Sequence, residues 1–208
     1  MNHRTHLLMV NGLTIVRAPL VVIFAIAAVW QVFRPTDTWL AAVALVALVL
    51  AALTDAFDGQ LARRWQVVTR FGAMADPVTD KVFYLVTLPV LLYLVAWRHE
   101  GAHAVVVLVL TILFMMRDQW VTFLRSVATE FGADVRANWA GKLRTALSFP
   151  IACAIYIYIS WKPVWLPLPL VYVLEALGIA VNFLSIVIYT RQYWPYLRRA
   201  LDDSGKEL

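Results

Sequence analysis

The sequence predicts an all-α integral membrane protein with six transmembrane helices. Of its 208 residues, 62% are hydrophobic and 15% are charged, whereas soluble domains average about 45–50% and about 25%. The apolar residues form six stretches that reach the ~20 residues a membrane-crossing helix needs: 11–33, 38–63, 73–97, 103–128, 140–161 and 166–190. Because the connections are short, we expect residues 1–208 to form a single membrane domain.

The basic residues indicate how these helices are oriented. One side of the six-helix arrangement carries most of them: Arg4, Arg63, Arg64, Arg70, Arg125, Arg136, Lys142, Arg144, Arg191, Arg198, Arg199 and Lys206. The other side carries Arg34, Arg98 and Lys162. Because basic loops stay in the cytoplasm, we expect both termini and the loops 64–72 and 129–139 to be cytoplasmic.

The net charge of +5 is therefore mainly a signal of topology. No recognisable nucleic-acid-binding module accompanies it, so we expect membrane lipids as partners and no nucleic acid. Cys153 is the only cysteine in the sequence, which excludes an intrachain disulfide.

Four aspartates interrupt the second and third apolar stretches. Asp55, Asp58, Asp76 and Asp80 follow one another at spacings of three, eighteen and four residues. A carboxylate at membrane depth costs ~2.5–3.5 kcal/mol unless it is partnered. Four of them indicate a bound divalent cation, and oxygen ligands suit Mg²⁺, Mn²⁺ or Ca²⁺ better than Zn²⁺.

Helical spacing predicts that each pair of aspartates lies on one face of its helix, together with small residues. The faces are Asp55, Asp58, Gly59 and Ala62 on one helix, and Gly72, Asp76 and Asp80 on the next. A short connection makes the two helices antiparallel neighbours with these faces opposed. The missing side-chain bulk would let a flat or phosphorylated ligand approach the backbone.

Three basic residues, Arg17, Lys81 and Arg117, fall inside predicted spans, in the same cytoplasmic half as the aspartates. Buried charges of both signs favour a polar active-site cavity that faces the cytoplasm. A cation transporter is the non-enzymatic alternative. Arg63, one residue beyond the acidic face, suits a phosphate oxygen better than a cation path, and no acidic residues complete a pathway at the opposite surface.

The spacing of these residues resembles that of a known family. The pattern D-x2-D-G-x2-A-R-x8-G-x3-D-x3-D is the signature of the CDP-alcohol phosphotransferases, and it is complete here: Asp55, Asp58, Gly59, Ala62, Arg63, Gly72, Asp76 and Asp80. The resemblance implies a six-helix membrane enzyme, commonly a homodimer, that displaces CMP from a CDP-linked donor with an alcohol acceptor.

The same resemblance implies roles for the signature residues. The four aspartates would hold two divalent ions, Mg²⁺ or Mn²⁺, and Asp80 would also be the general base. Arg63 would hold a pyrophosphate oxygen. Room for the cytidine would come from Gly59, Ala62 and Gly72.

The first helix opens with a second motif. Asn11, Thr14 and Arg17 resemble the N-x2-T-x2-R of the family branch that makes phosphatidylglycerophosphate in bacteria. Such an apolar chain favours a donor dissolved in the bilayer, CDP-diacylglycerol. Arg17 would bind the donor phosphates or, alternatively, pair with one of the aspartates.

Two further segments resemble the same branch and imply glycerol 3-phosphate as the acceptor. Residues 117–125 are similar to R-E-x6-R, and residues 141–145 to G-K-x-K-T. Arg117, Lys142 and Arg144 would form a cationic pocket for the acceptor phosphate. Arg125 lies near the same helical face and would extend this pocket or lie at the membrane surface.

The acceptor segments depart from the pattern at three positions. Asp118 stands where Glu is usual, Ser126 replaces another common Glu, and Arg144 replaces Lys. The expected reaction is phosphatidyl transfer from CDP-diacylglycerol to glycerol 3-phosphate, with release of CMP, at the bacterial inner membrane. Inositol phosphate, and less readily serine or choline, are the alternative acceptors.

Overall fold

The computed structural model describes residues 3–65, 70–135, 138–161 and 166–204, and within these ranges all regular structure is helical. The helices are α1 (His3–Phe33), α2 (Thr38–Trp65), α3 (Arg70–Trp97), α4 (Gly101–Glu130), α5 (Trp139–Ser160) and α6 (Leu168–Ser204). Each of the six predicted stretches coincides with one helix. The prediction of an all-α chain is confirmed.

Four of the described helices are long and apolar enough to cross a membrane. They lie at Ile15–Phe33, Gly101–Glu130, Trp139–Ser160 and Leu168–Asp202. The described apolar parts of α2 and α3 are shorter, Thr38–Thr54 and Lys81–Trp97. Large apolar side chains are exposed along these helices, among them Ile26, Val46 and Val105, as lipid contact requires.

The chain divides into two compact units, which are residues 1–104 with 152–167, and residues 105–151 with 168–208. In the first unit α1 packs against both α2 and α3. The buried face of α2 is rich in alanine, including Ala41, Ala44 and Ala51. Small side chains allow two helices to approach closely where lipid gives no hydrophobic driving force between them.

In the second unit α4 and α6 present buried faces of different chemistry. The face of α4 is apolar except for Thr111 and Arg117; its other members are Val107, Leu110, Phe114, Val121, Leu124 and Ala128. The face of α6 includes the polar residues Glu175, Asn182, Ser185, Tyr189 and Tyr193. A charged α4 residue and a polar α6 face are thus buried within one unit.

The sixth helix continues beyond the predicted stretch, which ends at residue 190, to Ser204. Tyr189 and Tyr193 form an apolar cluster with α4 residues, and Tyr196 and Leu197 pack against it. This packing explains why a polar tail is helical. Gly132, with φ of 70°, adopts the left-handed conformation that ends α4 and turns the chain back.

The helices of the second unit approach closely at Gly178. A Cβ at this position would lie 2.8 Å from Ile151 Cδ1 and 3.1 Å from Leu110 Cδ1. Any side chain here would therefore push on α4 and α5.

We expect Gly178→Leu to lower the free energy of unfolding by ~1–3 kcal/mol, the usual cost of overpacking. The measurement is thermal unfolding in detergent micelles. Ala180→Leu, at an exposed position of the same helix, is the matched control. Equal stability of the two variants would contradict the close approach.

Candidate active site

The acidic half of the predicted site lies on α2 and α3. Asp55 and Asp58 are in the C-terminal half of α2, and Asp76 and Asp80 are in the N-terminal half of α3. The following predicted site residues have side chains outside the described part of the chain: Asn11, Thr14, Asp55, Asp58, Gly59, Ala62, Arg63, Gly72, Asp76 and Asp80. For them the structure gives the helix and the register alone.

That register continues the buried faces of the two helices. On α2 the buried positions 41, 44, 48 and 51 lead, at the same three- and four-residue spacing, to positions 55, 58 and 62. On α3 the buried positions 91, 87 and 83 lead back to positions 80, 76 and 72. The helical pattern therefore assigns both aspartate pairs to the same register as the buried residues of their helices.

Arg17 is described, and its side chain is 1% exposed. It belongs to α1, the helix that packs against both α2 and α3. A buried guanidinium in this unit fits either role predicted for it, a contact with donor phosphates or a pairing with an aspartate.

The cationic half of the predicted site lies in the second unit, and there the side chains are described. Arg117, on α4, is 5% exposed. Its Nε and Nη2 both donate to Ser185 Oγ, at 2.9 and 2.8 Å. Two bonds to one oxygen fix the plane of this guanidinium relative to α6.

Arg144, on α5, is held in a similar way. Its Nε donates to Asn182 Oδ1 at 3.2 Å, and its Cζ lies 3.6 Å from the centroid of the Phe114 ring. The flat guanidinium thus lies over an aromatic face, a favourable cation–π geometry. The side chain is 7% exposed.

Arg125 and Arg117 share one aromatic partner, Tyr189. The two Cζ atoms lie 5.1 and 5.0 Å from the centroid of its ring. Arg125 Nη2 also donates to Tyr189 Oη at 2.9 Å. Of the two roles predicted for Arg125, the contacts fit an extension of the cationic cluster.

The described contacts of these cations include a carboxylate. Asp118 Oδ1 lies 3.7 Å from Arg117 Nη1 and 3.5 Å from Arg144 Nη2. Asp118 is therefore close to both buried arginines, although its own side chain is 26% exposed. The structure brings together Arg117, Arg125 and Arg144, which we call the arginine cluster.

The fourth predicted acceptor residue, Lys142, lies in the first turn of α5 with an exposed side chain. This turn is capped by Asn138, whose Oδ1 accepts from Gly141 N at 3.1 Å, as N-cap residues do. Asn138 Nδ2 donates to Gln192 Oε1 at 3.1 Å. The start of α5 is thereby tied to α6.

The acidic residues of α2 and α3 and the arginine cluster both lie within a match to a known protein family. Residues 7–188 match the CDP-alcohol phosphatidyltransferase family. This chain belongs to that family. Since both units of the structure fall largely within the match, it covers the acidic helices as well as the arginine cluster.

Among the similar proteins are several named CDP-diacylglycerol–glycerol-3-phosphate 3-phosphatidyltransferase. The one from Pectobacterium atrosepticum is 31% identical over 92% of this chain and 93% of its own length. Those from Shigella flexneri serotype 5b and Escherichia coli K12 are 33% identical over the same shares. The chain is thus a CDP-alcohol phosphatidyltransferase family member similar to these proteins over nearly its whole length.

The signature of the CDP-alcohol phosphatidyltransferases did not identify the α6 residues that hold the arginine cluster. Asn182 and Ser185 carried a usable signal, since they are polar residues three apart in an apolar stretch. Tyr189 carried none, because a tyrosine near a predicted membrane surface is ordinary. Phe114 also carried no signal, because it is one of many aromatic residues in the sequence.

The contacts of Arg144 suit arginine better than the usual lysine. We expect Arg144→Lys to lower the free energy of unfolding by ~1–3 kcal/mol, because buried Asn182 Oδ1 loses its donor and the planar stacking on Phe114 is lost. Thermal unfolding in detergent measures this. The control is Arg191→Lys at an exposed position; if both changes have the same effect, these contacts do not contribute.

Proposed function

We propose that this protein transfers the phosphatidyl group of CDP-diacylglycerol to the hydroxyl of glycerol 3-phosphate and releases CMP. The observation that carries the proposal is the arginine cluster, in which Arg117 and Arg144 are buried and fixed by hydrogen bonds. Buried guanidinium groups with fixed planes suit a phosphorylated acceptor. The names of the similar proteins support the same donor and acceptor.

The donor would be held by the signature residues of α2 and α3. Asp55, Asp58, Asp76 and Asp80 offer only carboxylate oxygens, which fit two divalent ions of the Mg²⁺ or Mn²⁺ type. Such ions, when bound, neutralise charge on the pyrophosphate and on the leaving CMP.

The remaining donor contacts follow from the motifs. Arg63 would hold a pyrophosphate oxygen, and Gly59, Ala62 and Gly72 would leave room for cytidine. Asn11, Thr14 and Arg17 would bind the donor from α1, and the burial of Arg17 supports a role for it inside the protein.

The chemical step needs one proton acceptor. The acceptor oxygen forms a bond to the lipid-side phosphorus while the bond from that phosphorus to the CMP oxygen breaks. Asp80 would take the proton of the attacking hydroxyl as general base. The phosphatidyl group then stays on the acceptor, and CMP leaves with the electron pair of the broken bond.

The acceptor phosphate would be bound by the arginine cluster and by Lys142 at the start of α5. Serine and choline lack a phosphate and would leave this charge unmatched. Inositol phosphate carries one and is the alternative acceptor. The cation-transporter alternative loses its basis, because the chain belongs to a transferase family.

We further propose that all six helices span the bacterial inner membrane as one domain, 1–208. Both termini and the active site would face the cytoplasm, and the chain would form a homodimer. The asymmetry of the basic residues supports this orientation. The family match over 7–188 supports one domain that includes both compact units.

An acceptor panel tests the proposed reaction. Detergent-solubilised protein with CDP-diacylglycerol and Mg²⁺ or Mn²⁺ should release CMP with glycerol 3-phosphate and yield phosphatidylglycerophosphate. Inositol phosphate, serine and choline are supplied in parallel. Release of CMP with inositol phosphate alone would replace the acceptor, and no release with any of the four would overturn the proposal.

Asp80→Asn tests the assignment of the base. We expect turnover to fall by about 10²-fold or more, the scale of general-base catalysis, while binding of the CDP-linked donor persists. Asp37→Asn is the matched control, because Asp37 lies in the connection before α2 and faces Arg34 at 3.9 Å. Turnover by Asp80→Asn at the level of this control would remove Asp80 from the base role.

A further inference from the structure

The arginine cluster is held by one face of α6. Asn182, Ser185 and Tyr189 follow one another at three and four residues, so they lie on the same side of the helix. Their side chains are 2%, 0% and 0% exposed. We propose that these three residues, the α6 stripe, are positioning residues that set the directions of the arginines and thereby the affinity for the acceptor phosphate. This inference rests on the proposed function.

The first argument is that each arginine donates a hydrogen bond to a different residue of α6. Asn182 accepts from Arg144, at 3.2 Å, and Ser185 accepts from Arg117, at 2.9 and 2.8 Å. Tyr189 accepts from Arg125 at 2.9 Å. Three arginines from two helices, α4 and α5, are therefore oriented by successive positions of a third helix.

The second argument is the charge of the partners. An amide, a hydroxyl and a phenol accept hydrogen bonds without carrying a negative charge, so they orient a guanidinium without neutralising it. Carboxylates at the same positions would form ion pairs and compete with a phosphate. The nearby carboxylate, Asp118, forms ion pairs with Arg144 and Arg117 at 3.5 and 3.7 Å. One carboxylate shared between two arginines offsets a single charge, so Asp118 and the three arginines together keep a positive charge.

The stripe is itself fixed in place. Asn182 Nδ2 donates to the Gly178 carbonyl at 2.8 Å, so its oxygen is turned towards Arg144. Tyr189 Oη also accepts from the backbone N–H of Asn138 at 3.2 Å. Tyr189 therefore links Arg125, Arg117 and the start of α5, the turn that carries Lys142.

This role of Tyr189 accounts for a glycine of the acceptor segment. A Cβ on Gly141 would lie 2.6 Å from Tyr189 Oη, whereas the next atoms, Arg117 Nη2 and Tyr189 Cε2, are at 3.6 Å. The phenolic oxygen thus occupies the space that a side chain at 141 would need. A side chain at 141 would therefore have to displace this oxygen.

The experiment compares Ser185→Ala and Tyr189→Phe with Thr190→Val. Thr190 Oγ1 accepts from Trp120 Nε1 at 2.8 Å, so the control removes an α4–α6 hydrogen bond that involves no arginine. We expect the KM for glycerol 3-phosphate to rise by about tenfold or more in the stripe variants, since bonds to charged groups are the stronger ones. The KM for CDP-diacylglycerol should stay at the value of the control.

A second pair of variants separates positioning from general destabilisation. Gly141→Ala should raise the KM for glycerol 3-phosphate because its methyl group displaces Tyr189 Oη. In the double variant with Tyr189→Phe that oxygen is gone, so Gly141→Ala should add little to the effect of Tyr189→Phe. Additive effects would overturn the assigned contact.

A binding measurement keeps this inference distinct from the proposed reaction. Stabilisation of the protein against heat by glycerol 3-phosphate alone reports acceptor binding without turnover. If glycerol 3-phosphate stabilises the unaltered protein but not the stripe variants, the inference is supported. This holds even if no CMP is released, because the absence of CMP would overturn only the proposed reaction. Stripe variants that match Thr190→Val in KM and in stabilisation would overturn the inference and leave the reaction standing.

Discussion

Burial of cations among apolar helices is the constraint on which the second unit depends. A guanidinium carries five N–H donors and a charge that water cannot reach once the side chain is covered. Arg117 and Arg144 are 5% and 7% exposed, so neighbouring helices must supply hydrogen-bond acceptors. Those acceptors come from α6, which explains why polar residues lie on its buried face in an otherwise apolar sequence.

The same constraint distinguishes a structural ion pair from a binding site. Cations that only join helices are best matched by carboxylates, which remove the net charge. The described partners of the arginine cluster are mostly neutral oxygens and aromatic faces. Such partners hold a guanidinium in one orientation while its charge persists, which is what the recognition of an anion requires.

The sequence was sufficient for the helices and for predicting that Arg117, Arg125 and Arg144 are neighbours, but it did not point to Tyr189 or Phe114, whose rings lie against these arginines. Membrane length and apolar composition determine where each helix lies, so all six stretches were recognised. The end of α6 was missed because helix there depends on tertiary packing of Tyr193 and Leu197, which periodicity alone does not report. Tyr189 was missed for the same reason, since its importance comes from contacts with residues 48 to 72 positions away in the chain.

Arg144 and Asp118 depart from the family pattern in ways that the structure makes consistent with a phosphate acceptor. Arginine at 144 is flat enough to lie on Phe114 and has the Nε that reaches Asn182, so its neighbours suit it better than lysine. Aspartate at 118 is shorter than glutamate. Its Oδ1 lies 3.5 Å from Arg144 and 3.7 Å from Arg117, and these distances are longer than those of a strong charge-assisted hydrogen bond. One such carboxylate offsets one charge of the three arginines and leaves the others for a ligand. Both departures are therefore consistent with the proposed phosphate acceptor.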